Sequence, residues 1–258
     1  MIFFIFFLIN LYKKYFSIIM LKLLILKRIF LDYIFDGFKQ ALFLLFNADE
    51  SVISAIKTTL LSSSISIVLA LLIGFPLGFI LGFFEFKLKR FIKLIVDTSL
   101  SFPTVAVGLI LYALISSRGP LGEFGLLFTI KALILGQFIL ALPIVIALFS
   151  NLIENMNKKH FLLIKSFHLS PLKLVLTMIY ELRFALISVV ALAYGRIVAE
   201  VGVAMIVGGN IKYDTRTITT AISLETNKGE FASGIALALV LILIAFCLNF
   251  ITHKLKRT

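Results

Sequence analysis

Residues 184–207 read FALISVVALAYGRIVAEVGVAMIV and run directly into Gly208-Gly209-Asn210. A helix needs about 20 predominantly apolar residues to cross a bilayer, and this stretch has that length. It also carries Arg196 and Glu200, one helical turn apart, so their side chains can meet on one face. A charge at mid-bilayer costs roughly 2.5–3.5 kcal/mol on insertion scales, so such groups face a protein interior, a cavity or each other. The stretch therefore predicts a membrane helix with its own ion pair, ending in a glycine turn. Two readings follow: a residue pair on a transport path, or a pair that neutralises itself at a helix contact.

The whole chain fits a membrane setting. Of 258 residues 61% are hydrophobic, above the usual half for a soluble domain. The net charge of +12 would suit a nucleic-acid binder, but the Lys and Arg cluster between apolar runs, as in cytoplasmic loops. Nucleic acid is not expected as a partner; membrane lipid is. Cys247 is the single cysteine, which excludes an internal disulfide. His160, His168 and His253 lie beside basic loop residues with no metal-ligand spacing, so no metal is expected. No phosphate loop, G-x-S-x-G or H-E-x-x-H motif occurs, so no catalytic residue is assigned and the chain is not expected to be an enzyme.

Five apolar runs have spanning length: about Thr59–Phe84, Leu94–Ile115, Ala132–Leu152, Phe184–Val207 and Ala232–Ile251. The fold class is thus all-α, a polytopic bundle of five core transmembrane helices. Loops after the first and third runs, with the tail, hold Lys87, Lys89, Arg90, Lys93, Lys158, Lys159, Lys165, Lys173, Arg183, Lys254, Lys256 and Arg257. The other two loops hold only Arg118, Lys131, Lys212, Arg216 and Lys228. The first set marks the cytoplasmic side, so the core starts outside and ends inside.

Residues 1–48 form an N-terminal extension, 49–253 the transmembrane domain and 254–258 a basic cytoplasmic tail. Within the extension, Asp36–Phe46 reads as an amphipathic interfacial helix with Phe38, Leu42 and Leu45 or Phe46 on one side. Two readings of the segment before it stay open: a sixth, tilted span near Phe16–Phe35, or a later start such as Met20. Ile2–Leu11 lacks the basic flank and cleavage site of a secretory signal. Gly74, Gly78 and Gly82 place small residues on one helix stripe, which permits close packing or a hinge. Pro103 and Pro143 should kink their helices.

The cytoplasmic loop 153–183 has helical periodicity over Asn157–Phe167, then a helix start at Ser170-Pro171 and a second helix over Leu172–Tyr180. It reads as helix, turn, helix, lying on the membrane: a knob for a cytoplasmic protein, or a plain connector.

From about Leu31 onward the chain resembles the permease subunit of ATP-binding-cassette importers, in the molybdate/tungstate branch. The resemblance rests on Phe102-Pro103-Thr104-Val105-Ala106-Val107-Gly108-Leu109, Arg118-Gly119-Pro120-Leu121-Gly122 and Ala141-Leu142-Pro143-Ile144-Val145-Ile146. It rests most on Gly195-Arg196-x-x-x-Glu200-Val201-Gly202 with Ile206-Val207-Gly208-Gly209-Asn210-Ile211, then Thr215-Arg216 and Thr219-Thr220-Ala221-Ile222. Leu224-Glu225-Thr226-x-Lys228-Gly229 is similar to the tungstate members. The family's coupling loop reads E-A-A-x-x-x-G. Here Leu162-Leu163-Ile164 and His168 stand in those places, a departure at the turn glycine.

The resemblance implies a type I importer permease fold in a bacterial inner membrane. It implies a homodimer with the path between subunits, a cytoplasmic ATPase dimer and an extracytoplasmic oxyanion-binding protein. ATP and magnesium would sit on the ATPase, with no cofactor in this chain. ATPase coupling would fall to Phe161, Leu162, Leu163, Ile164, His168, Ser170 and Pro171. The substrate pathway would include Arg196, Glu200, Ser101, Thr104, Asn210, Thr219 and Thr220, with Ser99 a further neutral donor. Thr219 and Thr220 could equally cap or pack a short helix. The expected cargo is a tetrahedral oxyanion, first tungstate, with molybdate, sulfate or phosphate as alternatives. An ion-gradient-driven secondary transporter is the rival class; it predicts buried acids in several spans and internal repeats, whereas only Asp97 and Glu200 are candidates and no repeat is evident.

Overall fold

The computed structural model of the chain describes residues 35, 38–39, 42–43, 46–47, 49–156, 162, 166–167 and 170–256. Nine α-helices have their bounds among these residues: α1 (Glu50–Phe83), α2 (Lys89–Ser99), α3 (Thr104–Ile115), α4 (Ile130–Glu154), α5 (Pro171–Glu181), α6 (Arg183–Val198), α7 (Gly202–Gly208), α8 (Ile218–Lys228) and α9 (Phe231–Lys256). A single 3₁₀ turn, Gly122–Phe124, sits between α3 and α4.

Among the described residues, three helices are long and apolar enough to cross a membrane unaided: α1, α4 and the Phe231–Phe250 part of α9. In α1 the carboxylate of Asp49 accepts hydrogen bonds from the amides of Ser51 and Val52, which fixes the helix start. That carboxyl is held below its usual range, chiefly by the Ser51 hydroxyl and the same two amides, against a smaller cost of burial. α1 and α4 form the spine of the bundle. A methyl added at Gly74 would lie 2.8 Å from Val145 Cγ1, and one at Gly82 would lie 2.8 Å from the Ser150 carbonyl. The glycine stripe thus packs on the Val145 side chain at Gly74 and on α4 backbone at Gly78 and Gly82, and Phe79, Phe149 and Ile153 are buried beside it. Pro143 lies inside α4, which continues through it to Glu154.

Two of the five expected spans are not single helices. The run Leu94–Ile115 divides into α2 and α3, which meet at 98°. Pro103 is the cause: it biases Phe102 away from helical backbone and leads α3 from the position before its first turn. The run Phe184–Val207 divides into α6 and α7, with Ala199, Glu200 and Val201 between them. It holds no proline, and its break is built from side-chain capping described below. On its inner side α6 bends by 82° from the segment Leu172–Glu181.

α5 begins at Pro171 with Ser170 in the capping position, as the Ser-Pro pair implies, though the Ser170 hydroxyl makes no capping hydrogen bond. Met178 of α5 is fully buried against the Phe79, Phe149 and Ile153 cluster, so this half of the loop is anchored to the spine. Leu162 is helical and exposed. Phe161, Leu163, Ile164, His168 and most of the expected Asn157–Phe167 helix lie outside the described residues. Positions 38, 42 and 46 are helical and exposed. The rest of the expected interfacial helix, and both readings of the segment ahead of it, also lie outside them.

Candidate functional site

The break between α6 and α7 is organised by one carboxylate. Glu200 is 2% exposed, and its Oε2 accepts a hydrogen bond from Arg196 Nη1 at 3.0 Å. Its Oε1 accepts from the amide of Val203 at 3.2 Å, which caps the start of α7. The Glu200 carbonyl accepts from the Thr219 hydroxyl at 2.7 Å. Interrupted backbone at membrane depth survives only where its polar groups are satisfied inside the protein. Glu200 does this for α6, α7 and α8 together.

Arg196 is asymmetric with its partner. Its side chain is 52% exposed, and it opens on a cleft of about 380 Å³ between α6 and α9 that Ser188, Gly195 and Asn249 also line. The guanidinium has five donors in a planar fork, and the Glu200 contact uses one of them. The arrangement leaves donors free on a half-exposed guanidinium while the net charge of the pair stays near zero.

The elbow between α2 and α3 abuts the break. A methyl at Gly202 would come 2.6 Å from Thr104 Oγ1 and 3.0 Å from the Val105 amide, so only glycine permits this approach. Gly108 of α3 likewise faces the Val203 backbone. Thr104 is therefore brought against Gly202 at the start of α7. Ser101 in the elbow is exposed and Ser99 before it is half-buried, with the Ser99 hydroxyl donating to the Ile95 carbonyl at 2.8 Å.

On the outer side α7 ends at Gly209 (φ 68°) and Asn210 (φ 50°), the left-handed turn that the Gly-Gly-Asn text implies. Asn210 Nδ2 donates to the Thr220 carbonyl at 3.4 Å, and its buried Oδ1 has no hydrogen-bond partner among the described residues. Thr219 and Thr220 are buried. Thr220 forms a capping box with Thr217, in which the Thr220 hydroxyl accepts from the Thr217 amide at 3.0 Å and the Thr217 hydroxyl accepts from the Thr220 amide at 3.3 Å.

Sequence reading missed three groups. Thr59 of α1 accepts from the Ile218 amide at 2.7 Å, tying α8 to the spine across 159 positions. Glu225 lies 3.6 Å from Arg216 and 3.5 Å from Lys228, and lines with them an outer pocket of about 250 Å³. Lys89 and Lys93 meet Glu154 at the inner face. None has a local spacing signal except Glu225 and Lys228, three apart on one helix. Among the described residues, no group of three or more His, Cys, Asp or Glu is placed to hold a metal ion.

Helices that cross, elbow and break in this way, around a half-open ion pair, define a polytopic membrane permease. The chain belongs to the family described as the binding-protein-dependent transport system inner membrane component, whose model matches residues 74–258. It is 35% identical to the tungstate uptake system permease protein TupB of Peptoclostridium acidaminophilum, over 88% of this chain and 99% of that protein. It is 27% identical to the molybdenum transport system permease protein ModB of Azotobacter vinelandii, over 81% and 96% of the two chains. A probable anion ABC transporter permease protein of Haloferax volcanii is 36% identical over 65% of this chain and 74% of its own. Among solved structures, an inward-facing form of the MetNI methionine ABC transporter shares the fold with TM-score 0.67 at 16% identity, covering 81% of this chain and 96% of that one.

Proposed function

We propose that this chain is the permease subunit of an ATP-driven importer and forms, as a homodimer, the membrane path for a tetrahedral oxyanion, with tungstate as the preferred cargo. The near full-length similarity to a tungstate uptake permease carries this reading. The half-exposed Arg196 beside buried Glu200 supports it chemically, because an oxyanion needs donors to replace its water but little net charge. Arg196, Thr104 and Ser101 would line the path, with Asn210 at its outer end. Glu200, Thr219 and Thr220 would hold the break open around it.

In this reading a cytoplasmic ATPase dimer binds ATP and magnesium, grips the loop that ends in α5 and rocks the bundle, while an extracytoplasmic binding protein delivers the anion. The chain itself hydrolyses nothing and resides in the inner membrane with several spans. Molybdate is the second reading, favoured by the similarity to the molybdenum permease. Competition in liposomes holding the full complex separates them. Unlabelled tungstate should displace labelled tungstate at lower concentration than molybdate, sulfate or phosphate does. Equal displacement by sulfate would remove tungstate as the preferred cargo.

A further inference from the structure

The Arg196–Glu200 site is reached from the inner face by two arms. One is direct: α5 joins α6 across an 82° bend, and α6 carries Arg196. The other is indirect, because α2 enters from the inner face, turns 98° into α3, and α3 packs on α7 beside Gly202. What ties α2 to the inner end of the bundle is a cluster of charges. Lys89 and Lys93, one turn apart on α2, both reach Glu154, with the Lys89 contact at 3.3 Å. Lys89 also pairs with Glu85 at 2.8 Å, and its side chain is only 11% exposed. Below this cluster Val96 of α2 packs against Leu81, Ile146 and Ala147, which continues the contact along α1 and α4.

Glu154 is the last residue of α4, and the coupling loop follows it immediately. A displacement applied to that loop therefore acts first on Glu154. We infer that Lys89, Lys93 and Glu154 are positioning residues that transmit motion of the coupling loop through α2 to the elbow, so that the α3–α7 arm moves together with the α6 arm. The inference rests on the ATP-driven reading above. Ion pairs with one largely buried partner suit the role. They can move two elements as one, because separating them takes from Glu154 both lysines that it meets and leaves buried Lys89 with Glu85 alone.

The test uses the complete complex with its ATPase and binding protein in liposomes, with labelled tungstate as probe. Uptake by the unaltered complex checks the ATP-driven reading separately. Glu154→Gln, Lys93→Gln and the double variant are then compared for complex yield, ATP hydrolysis and tungstate imported per ATP. Each variant should assemble and hydrolyse ATP at close to the normal rate, while import per ATP falls by about tenfold in Glu154→Gln and less in Lys93→Gln. The double variant should be no worse than Glu154→Gln, since both remove one linkage. Lys93→Arg should restore import. Normal import per ATP in all variants overturns the inference. So does a proportional fall of hydrolysis and import, or loss of the complex in every variant, because either result makes the cluster a brace and not a linkage.

Discussion

The α1–α4 spine and the pair of interrupted spans solve the same problem in opposite ways. In the spine each helix runs unbroken through its one internal proline, Pro76 or Pro143, and three glycines let the two helices approach closely. In the elbow, helical bonding gives way to backbone turns at Leu100, Ser101 and Phe102, and in the α6–α7 break a side chain takes over, with Glu200 capping α7. The spine gains rigidity from the absence of side chains. The interrupted region gains a polar surface at depth, at the cost of depending on single residues.

That contrast can be broken first at Arg196. Arg196→Gln leaves Glu200 buried without its cation, and the expected loss is on the order of 3 kcal/mol, seen as a collapse in yield of monodisperse protein. Glu200→Gln should be milder, because the arginine it releases is already half in the open. Gln at both positions should recover most of the yield. A double variant that assembles but does not import would give Arg196 a role with the anion, and full import would confine the pair to structure.

A smaller loss is expected in the spine. Gly82→Val forces a side chain onto the Ser150 carbonyl, and overpacking of this kind costs about 1–3 kcal/mol. Its signature is a lowered unfolding temperature in detergent with normal import per assembled complex. Impaired import at normal stability would show that the spine moves, contrary to its packing.

Next in size is the junction of the two regions. Thr59→Val removes the acceptor for the buried Ile218 amide, which should cost about 1–3 kcal/mol in thermal unfolding. The smallest effect belongs to the half-buried cap of α1: Asp49→Ala should cost about 1 kcal/mol. Because the Asp49 carboxyl is held below its usual range in the folded protein, its contribution is complete above the ordinary aspartate pKa and disappears as pH falls through the lowered value. The difference in unfolding temperature between the parent and Asp49→Ala should shrink over that acidic window. A difference constant with pH would mean that the carboxylate is not the cap.

Much of the spine is legible in the sequence, because apolar length, the Gly74, Gly78, Gly82 stripe and the lipid-facing runs are local signals. The Gly-Gly-Asn turn is legible too, since Gly209 and Asn210 adopt the positive φ those residues tolerate. The interrupted region is less so. Pro103 signals a disturbance but not a right angle, and nothing in residues 184–207 shows a break at Glu200. That break arises when a carboxylate prefers an amide of the next helix, Val203, to solvent, and when Gly202 admits Thr104 from a distant segment. The Arg196–Glu200 pair follows from spacing alone. Thr219 and Thr220, whose roles spacing leaves open, have hydroxyls engaged with Glu200 and Thr217.

The most direct measurement of the central claim is uptake of labelled tungstate into liposomes against a gradient, with the purified chain alone and with the chain joined to its ATPase and binding protein. The account predicts accumulation only in the second case, and only with ATP inside reach of the ATPase. Uphill accumulation by the chain alone would contradict it.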